Sequence, residues 1–217
     1  MKITLKTVLA AFLLFLSTAA ARAEAYIGGS LGNAMMNPLA AENSIDQWNA
    51  VNNPGSPDCN VLNCYMEAST SGGLKLFAGY RVNPYFAVEG FVAYLGNTES
   101  HANDGAGVDA SATSDIRTLG IAIVGMIPVE PNGAVMAKLG VHGWSADGTI
   151  DLVDTALPGA LLSNYANSGT SLMGGIGLNV DLNQHFAMRV EFEYFPVTMN
   201  RSRFNIGMFT VGGAYKF

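Results

Sequence analysis

The chain has 217 residues, of which 49% are hydrophobic and only 13% charged, with 25 glycines and a formal net charge of −6. A chain this acidic has no electrostatic attraction for nucleic acid, whose phosphates recruit Lys and Arg. Its two cysteines, Cys59 and Cys64, are too few for a disulfide scaffold but fit an oxidising compartment.

In chain order, the first element is MKITLKTVLAAFLLFLSTAAARAEA. Lys2 and Lys6 precede the apolar run Val8 to Leu16, small residues follow, and Ala21-Arg22-Ala23 forms a cleavage site. This is the three-part layout of a secretory signal. It predicts a signal peptide over 1–23 and one domain over 24–217, and with no cysteine just after the site, no lipid anchor is expected. Loss of Lys2, Lys6 and Arg22 leaves 8 Lys+Arg against 17 Asp+Glu, a net charge of −9. Beyond the signal the longest near-apolar run is LGIAIVGMIPV, residues 119–129. It is too short for a spanning helix but has the length of a membrane-crossing strand.

From there the sequence reads as strands over roughly 25–34, 72–81, 86–96, 114–127, 134–146, 169–181, 186–195 and 204–217. The clearest is FAMRVEFEYF (186–195), with Met188, Val190, Phe192 and Tyr194 on one face and Ala187, Arg189, Glu191 and Glu193 on the other. A helix would spread that alternation around its surface, whereas a strand separates it. Short links, VNPY (82–85), VEPNG (129–133) and LNQH (182–185), carry the Asn, Pro and Gly that tight turns require. Long links occupy about 35–71, 97–113, 147–168 and 196–203. Eight strands with short turns on one rim and long loops on the other predict an all-β, transmembrane, antiparallel up-and-down barrel.

Parity separates the two faces of that barrel. Leu74, Leu76, Ala78 and Tyr80, then Val88, Gly90, Val92 and Tyr94, then Leu119, Ile121 and Ile123 are assigned to lipid. Val135, Ala137, Leu139 and Val141, with Leu172, Ile176, Leu178 and Val180, complete the band. Lys75, Arg81, Arg117, Lys138, Arg189 and Lys216 are expected inside with Glu89, Asp181, Glu191 and Glu193. Inward Gly79, Gly120, Gly140, Gly175 and Gly177 leave room for them. A soluble barrel would reverse the faces. A charge on the lipid face costs about 2–4 kcal/mol at mid-membrane, so its near absence from one parity favours a membrane barrel. Tyr80, Tyr94, Tyr194, Tyr215 and Phe217 fall near strand ends, where interfacial aromatics belong.

Four stretches, GYRVNPYFAVEGFVAYLG (79–96), AKLGVHGWSADG (137–148), MRVEFEYF (188–195) and GMFTVGGAYKF (207–217), resemble the OmpA-like outer-membrane barrel family. The resemblance runs in order through about the whole mature chain. It implies an eight-stranded barrel in a Gram-negative outer membrane, with Glu89, Lys138 and Arg189 at positions that carry interior charges. Thr210, Gly212, Tyr215 and Phe217 likewise resemble the C-terminal signal read by barrel-assembly machinery. The best-known members continue into a peptidoglycan-binding domain, a role not expected of a chain ending at Phe217. The long first external segment, with both cysteines, matches no motif of the family.

The lumen of an eight-stranded barrel is just wide enough to be filled by side chains. Glu89, Arg117, Lys138, Arg189, Glu191, Glu193 and Lys216 are therefore expected to form a plug of paired ions, narrowed by Phe77 and Phe91. Cys59 and Cys64, in CNVLNC, lack the two further soft ligands that a metal needs, so a local disulfide is expected. His101, in TESHANDG beside Ser100 and near Asp104, reads as solvated loop rather than as part of a catalytic group. His142 is expected in the interior network and His185 in a turn. No catalytic residue, metal or cofactor is predicted.

The stretch TIDLVDTALPGALLSNYA (149–166) is apolar for an exposed loop, and NSIDQWNAV (43–51) has a capping-box pattern for a short helix presenting Trp48. Trp48, Leu157, Leu161 and Tyr165 either pack together or extend the barrel wall, or they form a surface that recognises a protein or glycan. The expected function is a non-enzymatic outer-membrane barrel with a structural or adhesin-like role. Its expected partners are outer-membrane lipids, lipopolysaccharide and the assembly machinery. The alternatives are a narrow small-solute channel and, third, a lipid-modifying enzyme.

Overall fold

The computed structural model describes residues 24–36, 70–103, 108–154, 161–199 and 202–217. Eight strands follow one another: β1 (Glu24–Met36), β2 (Thr70–Asn83), β3 (Phe86–Asn103), β4 (Val108–Val129), β5 (Gly133–Asp154), β6 (Leu161–Asp181), β7 (Phe186–Met199) and β8 (Ser202–Lys216). Each pairs antiparallel with its chain neighbours, and β1 with β8, so the sheet closes into a barrel. The closing ladder runs from Tyr26↔Lys216 to Met36↔Ile206, and the Phe217 N–H donates to the Ala25 carbonyl at 3.0 Å. Closure matters here because lipid offers no hydrogen bonds to an open strand edge.

Two of the three short turns are built by side chains that replace ladder bonds. Asn83 Oδ1 accepts from the backbone N–H groups of Tyr85 and Phe86, and Asn183 Oδ1 does the same for His185 and Phe186. The Asx turn is the physical reason for asparagine at these positions.

The lipid-facing assignments hold. Leu119, Ile121, Ile123, Leu139, Leu172 and Ile176 are each more than half exposed on the outside of the wall. Inside, large side chains stand opposite glycines. Gly79 lies between Tyr26 and Glu89, and Gly175 between Lys138 and Glu193. A Cβ at Gly120 would come within 2.6 Å of the Phe91 ring, so the small residues are where the long ones lie down.

The strands run well past the predicted loop starts. Residues 97–103 and 108–113 continue the β3–β4 ladder to Asn103↔Asp109. Most of the expected loop 147–168 is likewise the continuation of β5 and β6, paired as far as Leu152↔Leu161. At about 2.5 Å of vertical rise per tilted residue, the eleven residues Leu119–Val129 already span a membrane's apolar band of about 25 Å. The outer ends therefore stand clear of it. On the outside the border is sharp: Leu119 gives way to Arg117 and Asp115, and Val141 to Ser145 and Asp147, at matching register. Tyr94 marks it with a 2.7 Å hydrogen bond from its hydroxyl to Asp115.

Above this level the wall divides. The β2–β3 ladder stops at Leu74↔Tyr94, next to a bulge at Leu95 and Gly96, where Gly96 takes φ +93°. The β6–β7 ladder stops at Gly174↔Tyr194. The outer part is thus two four-stranded sheets, β3–β6 and β7–β8–β1–β2. They face each other over an apolar core that holds Leu95, Ile116, Trp144 and Met173 from one side and Phe195, Val197, Ile206 and Met208 from the other.

Candidate functional site

The lumen is the only densely charged interior among the described residues, and strands β2, β3, β5 and β7 build it. Alternation turns Glu89 of β3, Lys138 of β5 and Arg189, Glu191 and Glu193 of β7 inward, where Lys75 of β2 meets them. All six are at most 6% exposed. Three carboxylates and three cations make a neutral set.

Every cation has more than one carboxylate. Lys75 Nζ lies 2.5 Å from Glu191 and 2.6 Å from Glu193. Lys138 Nζ contacts Glu89 and Glu191 at 2.5 Å and Glu193 at 3.4 Å. Arg189 Nη1 contacts Glu89 at 2.6 Å, while its Nε donates to Asn179 Oδ1 at 3.2 Å. The Tyr26 hydroxyl donates to Glu89 at 3.1 Å. The Phe77 ring lies against all three cations, with the Arg189 guanidinium 4.6 Å from its centroid, Lys75 Nζ at 5.4 Å and Lys138 Nζ at 5.8 Å. Buried ions repay their desolvation only with such multiple partners, and removing one leaves the rest uncompensated.

Arg117 does not belong to this set. It shares the parity of Leu119 and Ile121 and is exposed on the outer wall of β4. A guanidinium is accommodated there because the position lies beyond the apolar band, among water and headgroups. Lys216 also stands apart, pairing with Asp181 at 3.2 Å near the periplasmic mouth, as Arg81 does with Glu24 at 3.4 Å.

His142 lies in the lumen but not in the ion cluster. Its Nδ1 is 2.8 Å from Thr118 Oγ1 and its Nε2 donates to the Pro196 carbonyl at 3.2 Å. The Thr118–His142 contact has the reach of a nucleophile and base, yet both are buried and a carbonyl takes the place of an orienting acid. His185 caps the turn before β7, stacked on Tyr215 at 5.7 Å.

Of the remaining sites, Thr210 and Gly212 face inward on β8, while Tyr215 and Phe217 are 40% and 73% exposed. Tyr215 packs edge-on against Phe186 and Phe217. Leu161 and Tyr165 lie in the β6 backbone, so that part of the apolar stretch extends the wall. Trp48, Cys59, Cys64 and Leu157 lie outside the described residues. Sequence reasoning missed the apolar core above the cluster. Its signal was inward positions turning apolar toward the outer strand ends, as at Phe195, Val197, Ile206 and Met208.

With this geometry in place, the sequence profile of the family described as outer membrane protein beta-barrel domain matches residues 7–217. The chain belongs to that family. It is accordingly an integral β-barrel of the Gram-negative outer membrane. Curated protein sequences give no significant match. Among solved family-like folds, OprG, an outer membrane protein from Pseudomonas aeruginosa, is similar at a TM-score of 0.55 and 13% identity, over 89% of this chain and 96% of that one. Ail, the attachment invasion locus protein of Yersinia pestis, seen in complex with the heparin analogue sucrose octasulfate, is similar at a TM-score of 0.51 and 15% identity, over 90% and 99%. At such identities the likeness is one of fold.

Proposed function

We propose that this barrel is non-enzymatic and closed to solutes, and that it serves a structural or surface-interaction role through its outer segments. The observation that carries the reading is the lumen, in which a neutral cluster of six ions and an apolar core lie in series. A channel requires a hydrated path, and the packing of these side chains across the bore supports its being closed. Single-channel recording in planar bilayers tests it. The purified protein is expected to give no large, steady openings, and such openings would overturn the reading. Unchanged lipid A in mass spectra with and without expression is the matching expectation for the absence of lipid-modifying activity.

The adhesin-like part rests on the outer segments and on the likeness to Ail. The partner chemistry differs, however. Residues 37–71, 97–117, 145–170 and 196–203 hold eleven Asp+Glu against three Arg, so these segments carry nearly all of the mature net charge. Asp115 and Asp147 sit side by side on the outer wall with Thr113, Thr149 and Asn164 around a shallow depression of about 450 Å³. Such a surface repels a sulfated polyanion and suits a neutral glycan or a basic protein surface. Calorimetric titration with sucrose octasulfate is expected to show no binding at physiological salt. Saturable binding would reject the charge argument. The signal peptide, the Cys59–Cys64 disulfide and recognition of the β8 terminus by assembly machinery belong to the same proposal.

A further inference from the structure

β7 alternates as a wall strand should until Tyr194, and then Phe195, Pro196 and Val197 are buried in succession. A strand in a barrel wall buries every second residue; Phe195 and Val197 keep the inward parity of Glu193, and the burial of Pro196 between them is the break in the alternation. The ladder to β6 has ended at that point, while pairing with β8 continues to Met199↔Ser202. β8 adds Ile206 and Met208, both fully buried. The segment meets the far side of the lumen directly. Phe195 lies 5.9 Å from the Phe91 ring and 5.4 Å from the His142 ring, and the Pro196 carbonyl accepts from His142 Nε2. Thr118 fixes the other side of that imidazole.

We propose that the outer end of the β7–β8 hairpin is a built-in stopper, which seals the lumen from the outside independently of the ion cluster beneath it and is latched by His142. The inference rests on the closed-lumen reading and goes beyond it by assigning the seal to one hinged element. Free of β6 above Tyr194, the hairpin is held by β1 on one side and by this packing and latch on the other.

The test uses the full chain with Cys59→Ala and Cys64→Ala and a reporter at Ser30→Cys. Ser30 is buried at cluster level opposite Lys75, and its hydroxyl makes no hydrogen bond. A small membrane-impermeant thiosulfonate is added from outside, and folding of each variant is checked by heat-modifiable migration. The reporter is expected to stay unlabelled in this background, with Glu89→Gln, and with His142→Gln, which keeps a donor for Pro196. His142→Ala is expected to raise the labelling rate about ten-fold, the population shift that losing one such hydrogen bond brings. If His142→Ala does not fold, Val197→Ala, which shrinks the stopper, takes its place with the same expectation. Opening by Glu89→Gln, or none by either stopper variant, would overturn the proposal. Conductance of the unaltered barrel would instead overturn the closed-lumen reading itself, so the two failures are distinguishable.

Discussion

The two halves of the lumen are packed by different physics. Toward the periplasm, Glu89, Lys138, Arg189, Lys75, Glu191 and Glu193 fill the bore with charge, and the order there is set by Coulomb partners and hydrogen bonds. Toward the outside, Phe195, Val197, Ile206 and Met208 meet Ile116 and Trp144 with no ion among them. The ionic half is brittle, because each side chain has several partners that its loss leaves unpaired in a medium of low dielectric. The apolar half is graded, because trimming a methyl group costs only its transfer energy and a small cavity. The wall follows the same division, being one continuous sheet around the ions and two facing sheets around the apolar core.

Four substitutions separate these halves, read by urea unfolding in lipid vesicles. Glu89→Ala removes the carboxylate shared by Lys138, Arg189 and Tyr26, and is expected to cost about 3–5 kcal/mol. A loss under 1 kcal/mol would mean that the ionic half is solvated rather than sealed. Leu139→Arg puts a charge on a lipid-facing residue that is 68% exposed, with an expected cost of about 2–4 kcal/mol. The same unfolding midpoint as the parent would place Leu139 outside the apolar band. In the outer half, Ile206→Val is expected to cost about 0.5–1.5 kcal/mol, and a larger effect would show that this region is as brittle as the ions below. Arg117→Gln is the smallest, within about 0.5 kcal/mol, because the side chain is exposed on the outer wall. A cost of several kcal/mol would return Arg117 to the lumen.

Much of this barrel was legible in its residues because a strand's period of two is rigid. Met188, Val190, Phe192 and Tyr194 against Arg189, Glu191 and Glu193 leave no other way to segregate apolar from charged atoms. Asn83 and Asn183 marked their turns through a local bond between side chain and backbone. Arg117 shows where reasoning by residue type fails. Its charge suggested the interior, yet parity with Leu119 puts it outside, and its distance beyond the apolar band makes that harmless. The reach of β4, β5 and β6 past the predicted loop starts was also hidden. Polar residues such as Asp147 and Thr149 read as loop, although a strand standing clear of the membrane is free to be polar on its outer face.

The sequence by itself determined strand count, turn rim, lipid face and most of the buried ions, though not the place of Arg117, since each is a local alternation or a short-range turn. Tertiary structure alone decided which carboxylate serves which cation, where the ladders part at Tyr94 and Tyr194, and that Pro196 is buried between Phe195 and Val197. Those outcomes depend on residues about 20 to 120 positions apart meeting across a closed cylinder. Spacing along one strand carries no record of such a meeting.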